Sequence, residues 1–234
     1  MSKLLNISEK IFVFPFGEEG VQANVGIIIA DDKCILIDSG NSPQQANLIK
    51  KELEKIEAPP VKYIIYTHHH WDHTFGSAIF NDCEVIAHER TFEYLKQMQE
   101  INWSKEYLLS EIEKDQSLKF SHESKIKAIN DWESFNIVLP SITFTDRMTV
   151  NINKVTLELS FIGGQHADDS ILIKVLDSNV LFVGDCFYPK SADGSPSLDI
   201  LKFLHKESAK VYIHGHGAPA TFEELEAFIK QIEK

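Results

Sequence analysis

The amino-acid sequence predicts an α+β protein in which two β-sheets pack back to back and helices cover their outer faces. Short β-rich runs occur in both halves of the 234-residue chain, and segments with helical spacing of apolar residues follow them in each half. No linker rich in proline, glycine or serine separates the halves, and no repeat of fixed length is present. Because 43% of the residues are hydrophobic, the chain can bury a sizeable core. These observations favour a single domain over residues 1–234.

The first half of the chain predicts a meander of strands followed by a strand–helix–strand unit. Ser42 and Pro43 begin a segment whose apolar residues have helical spacing, and Pro59 and Pro60 end it. A turn of helix that contains Gly76 precedes the last strand of this half. The β-rich runs that predict the strands are residues 11–14, 25–29, 34–37, 61–66 and 84–87.

The rest of the chain predicts a helical insertion and then a second group of strands. Residues from about 89 to 132 carry apolar side chains among many charges without strand-like alternation, so we place the helical insertion at approximately 90–140. Further helices are predicted near residues 198–205 and 222–232. The β-rich runs after Pro140 are residues 143–144, 148–152, 155–161, 171–176, 180–183 and 211–213.

The charge and the cysteine content exclude several classes of protein. Lys and Arg number 23 against 35 Asp and Glu, a net charge of −12, whereas proteins that track nucleic acids need a clustered positive field. Cys34, Cys83 and Cys186 form no closely spaced disulfide framework, which fits a reducing compartment. The first ten residues lack the apolar run of a signal peptide, and no later run is long enough to span a membrane. We therefore expect a cytoplasmic protein with a small-molecule substrate and no nucleic-acid or membrane partner; the sequence does not indicate its oligomeric state.

A dense group of potential metal ligands follows the strand predicted at residues 61–66. Imidazole and carboxylate groups at the C-terminal end of a strand suit zinc or iron. The alternating spacing lets two histidines face one ion, while the turn directs the next two ligands toward a second ion. His69 lies between the first two histidines and should point away. The candidate ligands of this pattern are His68, His70, Asp72 and His73.

Three later apolar strands also end in a glycine and a ligand-type side chain. The run at 155–161 leads to His166, and the run at 180–183 leads to Asp185. The run at 211–213 leads to His214 and His216, of which we favour His216 because its flanking glycines allow close approach of the backbone. The remaining histidines His88, His122 and His205 are expected to be surface or structural residues, and Trp71 a packing residue or pocket wall.

These motifs, taken in chain order, resemble the metallo-β-lactamase superfamily of metal-dependent hydrolases. The resemblance covers essentially the whole chain except the insertion, and it implies an αββα sandwich. It also implies that Asp38 supports the histidine loop from behind. The ligand sets that the resemblance implies are His68, His70 and His166 on one ion, Asp72, His73 and His216 on the other, and Asp185 bridging them.

The predicted activity is that of a metallo-hydrolase with two zinc ions, with iron or manganese as alternatives. Two divalent ions lower the pKa of a shared water, so a bridging hydroxide can attack a polarised carbonyl. Asp72 is the predicted proton acceptor, and Tyr188 resembles the tyrosine with which lactonases of the superfamily contact the substrate carbonyl. The expected substrate is a small molecule with an ester, lactone, thioester or amide bond.

Other functions within the same superfamily stay open. Residues 164–169, Cys186 and Lys190 resemble features of zinc β-lactamases, although those enzymes lack a ligand at the position of His73. An iron-dependent, dioxygenase-like oxidoreductase would be separated from a hydrolase by metal analysis. A small phosphodiesterase is compatible with the acidic charge, whereas a non-catalytic relative would be expected to lack some of the ligands.

The insertion lies between His73 and His166 in the chain, so it returns to the predicted metal edge and can fold over it as a lid. Aromatic residues at helical spacing are also typical of a core, and a residue can serve both purposes. A lid with apolar surface would suit a substrate with an acyl or aromatic part. The aromatic residues in question are Trp103, Tyr107, Phe120, Trp132 and Phe135.

Overall fold

Two mixed β-sheets face each other in the computed structural model, which describes residues 3–17, 21–189 and 194–234. The strands of the first sheet lie in chain order; the first four are antiparallel neighbours, and the last four are parallel neighbours. These strands are β1 (Leu5–Ser8), β2 (Ile11–Phe14), β3 (Val25–Ala30), β4 (Lys33–Ile37), β5 (Val61–Ile65), β6 (Glu84–His88) and β7 (Ile142–Phe144).

The second sheet contains the later strands, and each strand lies beside the strands that precede and follow it in the chain. Its neighbours are antiparallel except for one parallel pair, β11 and β12. The strands are β8 (Arg147–Ile152), β9 (Val155–Phe161), β10 (Ile171–Val175), β11 (Val180–Gly184), β12 (Val211–His214) and β13 (Ala220–Thr221).

Helices lie on the outer sides of both sheets and in the turns at one edge. They are α1 (Pro43–Lys55), α2 (Trp71–Thr74), α3 (Glu89–Gln99), α4 (Lys105–Lys114), α5 (Lys119–Ala128), α6 (Leu198–Lys206) and α7 (Phe222–Ile232). The start of α1 follows from its sequence, because the Ser42 hydroxyl caps the Gln45 amide and Pro43 needs no hydrogen-bond acceptor at the first position.

The central strands of both sheets bury both faces, and the alternation of side chains divides the core into layers. Ile28 and Ile35 face the other sheet, whereas their neighbours Ile27 and Leu36 face the helices on the outside. The outer face of the second sheet packs against α6 and α7. The layers are therefore helix, sheet, sheet and helix, which confirms the predicted αββα sandwich.

The segment from α3 to α5 connects β6 to β7 and is helical, as the sequence predicts for this region. Trp103, Trp132 and Phe135 are half-buried against the core on the outer side of the first sheet. Phe120 lies on α5 and is 74% exposed. The aromatic residues therefore divide between core and surface, and the role of this segment as a lid stays a prediction.

The structure also corrects the expected strands. The sequence does not predict β1 or β13, and the strand predicted at residues 61–66 ends at Ile65 in the structure. β1 has an exposed or half-buried pattern, and β13 has two residues, so neither carries an apolar signal. Among the described residues, no helix combines the length and the apolar character needed to cross a membrane.

Candidate metal centre

The candidate ligands lie where strands from both sheets end at one edge of the sandwich. β4 and β5 run parallel in the first sheet. In the second sheet β9, β11 and β12 share one direction, because β10 is antiparallel to both β9 and β11. The carboxyl ends of parallel strands meet at the same edge, so loops distant in sequence come together there.

Three histidines form the first group of candidate ligands. One ring nitrogen from each of His68, His70 and His166 lies within 4.8 Å of the others, and His70 Nδ1 is 3.0 Å from His166 Nε2. Burial holds the pKa of His68 well below its ordinary value, and burial together with the neighbouring histidines lowers the pKa of His70 to about 4. Both rings are therefore neutral at pH 7 and keep a lone pair for a cation.

Two carboxylates and two histidines form the second group. Asp72, His73, Asp185 and His216 each offer a ligand atom within 4.8 Å of the others. Asp72 Oδ2 lies 2.9 Å from His216 Nε2, and Asp185 Oδ2 lies 3.4 Å from His73 Nε2. Burial works against the charged form of His216, but Asp185 and Asp72 outweigh this effect and raise its pKa to about 9. The carboxylates of Asp72 and Asp185 thus favour a positive charge at this position.

Asp185 lies between the two groups. Its Oδ2 atom is 3.4 Å from His166 Nε2 in the first group and 3.5 Å from His216 Nε2 in the second. Its pKa lies well below the ordinary value: burial opposes the shift, and the positive charge of His73 contributes most to it. One ionised carboxylate therefore faces histidines from both groups, as required of a bridging ligand.

The buried polar atoms of these groups fit divalent cations. His68 Nε2, His73 Nε2 and Asp185 Oδ1 are all buried and have no hydrogen-bond partner. An unpaired buried polar atom is costly, and cations bound by the two groups would satisfy all three atoms. Imidazole nitrogen and carboxylate oxygen are the donors that zinc, iron and manganese accept. The side chains of His166 and His216 are 21% and 26% exposed, so the centre is open to solvent on one side.

Asp38 fixes the orientation of His73 from behind. Its Oδ2 atom accepts hydrogen bonds from His73 Nδ1 at 2.7 Å and from Thr67 Oγ1 at 2.8 Å, while its Oδ1 accepts one from the Thr67 amide. Because Nδ1 donates to Asp38, the Nε2 atom of His73 is left to face Asp72 and Asp185. The expectation that Asp38 supports the histidine loop is confirmed.

His69 points away from both groups, as its position in the motif predicts. Its backbone amide and its Nδ1 atom both donate to Asp169 at 2.8 Å, and the hydroxyl of Thr91 donates to the same carboxylate. Asp169 therefore ties the histidine loop to α3. The sequence does not predict this role for Asp169, because His69 lies 100 positions away in the chain.

Tyr188 contacts the turn that carries His216. Its hydroxyl lies within hydrogen-bond distance of His214 Nδ1 and accepts a hydrogen bond from the His216 amide at 3.2 Å. His214 Nε2 donates to the carbonyl of Ala218, so Nδ1 is an acceptor for the tyrosine hydroxyl. His214 is outside both groups of candidate ligands, whereas His216 is inside the second.

A glycine permits the close approach of this turn. A Cβ atom on Gly215 would lie 2.0 Å from Asp185 Oδ1 and 2.9 Å from His73 Cε1. Any other residue at position 215 would displace the two ligands, which explains the glycine that precedes His216.

Three other residues considered from the sequence, Cys186, His88 and Lys190, are not among the candidate ligands in the described residues. Cys186 is completely buried in the core under α6, where burial raises the pKa of its thiol, and it is outside both ligand groups. His88 is a structural residue: it is buried, caps α3 through the Arg90 amide, and contacts the carbonyl of Thr145. Lys190 lies outside the described residues.

Comparisons with known proteins agree with the fold. The family model described as the metallo-beta-lactamase superfamily matches residues 19–216. A metallo-β-lactamase from Pontibacter korlensis has a TM-score of 0.69 at 17% identity, with 100% of each chain covered. A metallo-β-lactamase family protein from Thermus thermophilus has a TM-score of 0.67 at 17% identity, and the match covers 97% of this chain and 81% of that protein. The DIM-1 metallo-β-lactamase has a TM-score of 0.65 at 18% identity, covering 98% and 96%.

A curated relative matches a shorter stretch. A linear primary-alkylsulfatase from Pseudomonas sp. (strain ATCC 19151) is 39% identical over 60 residues, which is 26% of this chain but 11% of the relative. That match is too short to describe the whole of either protein, and the solved structures are too distant to show more than the fold. Since the family model spans most of the sequence and the sandwich agrees with it, this chain belongs to the metallo-β-lactamase superfamily.

Proposed function

We propose that this protein is a metal-dependent hydrolase that holds two zinc ions and cleaves an ester, lactone, thioester or amide bond of a small molecule. The observation that carries the proposal is the pair of ligand groups joined by Asp185, with unpaired buried atoms at its centre. Superfamily membership supports a hydrolase or a related enzyme.

The proposed ligands divide between two ions. His68, His70 and His166 would hold one ion, Asp72, His73 and His216 would hold the other, and Asp185 would contact both. When bound, the ions would polarise the carbonyl of the substrate and lower the pKa of a nearby water molecule. The neutral imidazoles of His68 and His70 and the two carboxylates of the second group suit this loading.

Asp72 is the proposed proton acceptor. It is buried, its Oδ2 atom lies 2.9 Å from His216 Nε2, and it belongs to the second ligand group. A carboxylate held there can receive a proton from water and pass it to the leaving group. In an Asp72→Asn variant that keeps its metal, we expect turnover to fall by about a hundredfold or more. Full turnover in that variant would remove Asp72 from the proton transfer.

Tyr188 is proposed to act on the site in two ways. Its hydroxyl positions the His216 turn through the contacts to His214 and the His216 amide. Contact with the substrate carbonyl remains part of the proposal, and it requires the hydroxyl to leave His214.

Hydrolysis of a sulfate ester is the second candidate function. The observation in its favour is the 60-residue match to a linear primary-alkylsulfatase. A sulfate ester would place its negative charge near the metal ions, which attract anionic substrates despite the acidic total of the chain.

The test combines metal analysis with a substrate panel on one preparation. The purified protein is measured by mass spectrometry for zinc, iron and manganese, and then assayed with esters, lactones, thioesters, amides, β-lactams, phosphodiesters and hexyl sulfate. The proposal expects about two equivalents of zinc, acyl-bond hydrolysis, and loss of activity on chelation with recovery on adding zinc. Iron with no hydrolysis would favour the oxidoreductase alternative, whereas sulfate release alone would select the second candidate.

A further inference from the structure

A buried lysine from the helical segment lies against Trp71, a neighbour in the chain of two candidate ligands. Lys125 lies on α5 and is 5% exposed, although lysine is almost never fully buried without a charged partner. Its Nζ atom is 4.9 Å from the centroid of the Trp71 ring, and Trp71 lies between His70 and Asp72 in the chain. A cation from a separate part of the fold is thus held beside the histidine loop.

The ammonium group of Lys125 has few partners within the protein. It can donate three hydrogen bonds, and in the described residues it donates one, to Ser121 Oγ at 2.6 Å. No ion pair among the described residues includes Lys125, and the ring of Trp71 offers only a cation–π contact. A buried cation without a carboxylate partner is costly, which indicates a function that offsets the cost.

The electrostatic surroundings point toward the metal centre. Burial lowers the pKa of Lys125 to about 8, and the negative charge of Asp72 opposes that shift. Since Asp72 is itself a proposed metal ligand, a bound cation would offset its charge and leave Lys125 without an anion nearby. The same face of α5 holds His122, whose buried Nδ1 atom has no hydrogen-bond partner.

We propose that Lys125 binds an oxyanion of the substrate, a carboxylate or a sulfonate-type group, that lies on the Trp71 side of the metal centre. The proposal rests on the proposed function, because the bound group belongs to a molecule whose other end lies at the metal ions. The flexible four-carbon stem of Lys125 allows the ammonium to turn from Ser121 toward that group. Lys125 is therefore a specificity-determining residue that selects substrates with a second, negatively charged end.

Ligand binding tests this proposal without relying on turnover. Isothermal titration of the zinc-loaded protein compares linear dicarboxylates, from succinate to suberate, with monocarboxylates of the same chain length. A second series replaces one carboxylate by a sulfonate and so distinguishes the two kinds of oxyanion. We expect the best dianion to bind about tenfold more tightly than its monocarboxylate, as a charge-assisted hydrogen bond allows.

Variants assign the difference to the ammonium group. Lys125→Met keeps the length of the stem and should abolish the advantage of the dianion while leaving monocarboxylate affinity unchanged, whereas Lys125→Arg should retain part of it. Lys127→Met is the matched control, because it removes the same charge from an exposed position on the same helix. Lys125→Gln replaces the methionine variant if the latter does not fold, and melting temperature and zinc content are measured for each protein.

The proposal is overturned if no dianion binds more tightly than its monocarboxylate in the wild type, or if the advantage of the dianion survives in Lys125→Met or Lys125→Gln. Equal losses for both ligand classes, with a lower melting temperature, would make Lys125 a packing residue and would also overturn it. Absence of hydrolysis with a dianion advantage that depends on Lys125 would contradict the proposed function but support the anion site. Hydrolysis without a dianion advantage would support the proposed function and contradict the anion site at Lys125.

Discussion

At the residue scale, two aspartates determine which histidine atoms face the candidate metal centre. Asp38 accepts a hydrogen bond from Nδ1 of His73, so Nε2 of that ring faces Asp72 and Asp185. Asp169 accepts hydrogen bonds from both the backbone amide and the ring of His69, and these bonds hold His69 away from the candidate metal centre. The selection among adjacent histidines is therefore made by aspartates that lie behind them.

Asp38 offers the first test at this scale. Replacing it by Asn removes the charge that orients His73, and we expect zinc affinity to fall by about ten- to a hundredfold, as is typical when an outer partner of a ligand is lost. Competition with a fluorescent zinc chelator measures the change. Asp82→Asn is a matched control, because Asp38 and Asp82 both have positive φ, 64° and 59°, a conformation that asparagine tolerates. Equal zinc affinity in the two variants would contradict the role of Asp38.

Tyr188 offers the second test. In Tyr188→Phe the His216 turn loses its contacts with the phenolic hydroxyl, so we expect turnover to fall by about tenfold, each lost hydrogen bond being worth about 0.5–1.5 kcal/mol. Tyr212→Phe is the control, since its buried hydroxyl bonds Ala209 and Leu204 in the core. Unchanged lactone and thioester turnover in Tyr188→Phe would remove this residue from the mechanism. A rise in KM alone would favour substrate contact over positioning.

At the scale of elements, the strand ends carry the candidate ligands and the helices cover the sheets. The helical segment from α3 to α5 contributes to the core through Trp103 and contacts Trp71 through Lys125. Removing residues 100–130 would expose the core, so single substitutions such as those at Lys125 test this segment better. Its description as an insertion in a single domain of residues 1–234 stays a prediction.

The last helix shows how an element depends on its first residues. Thr221 caps α7 and forms a reciprocal capping box with Glu224. We expect Thr221→Ala to lower the free energy of unfolding by about 1 kcal/mol, measured by urea denaturation. Ser178→Ala is the control, because the buried hydroxyl of Ser178 has no hydrogen-bond partner and its loss should be neutral. Equal stability of Thr221→Ala and the wild type would show that the cap contributes nothing.

At the scale of the whole molecule, the two sheets meet at an edge where carboxylates and unpaired ring nitrogens are concentrated. Metal binding is expected to stabilise the fold, because ions that bind only the folded state shift the unfolding equilibrium. Chelation should lower the melting temperature by several degrees, an effect of about the size that a few kcal/mol produces, and zinc should restore it. Calorimetry measures the shift, and Asp185→Asn should reduce it. An identical melting temperature with and without zinc would contradict a metal centre in this protein.

The sequence alone determined the kind of fold and the set of candidate ligands. Short apolar, β-rich runs predict buried strands, and the spacing from His68 to His73 predicts a ligand loop, because both signals are local. The sequence also predicts His166, Asp185 and His216 as candidate ligands, because each follows an apolar strand and has a glycine nearby. The weakly apolar β1 and the short β13 had no such signal and were missed.

Only the tertiary structure decided which partner each side chain meets. Asp169 holds a histidine 100 positions away, and Lys125 lies against Trp71, far from it in sequence. The alternatives among Cys186, His214 and His216 were separated in the same way, by burial and by the direction of each side chain. Such contacts depend on how two sheets and a helical segment pack, and the sequence carries no local pattern for a pairing that forms only when distant strands reach the same edge.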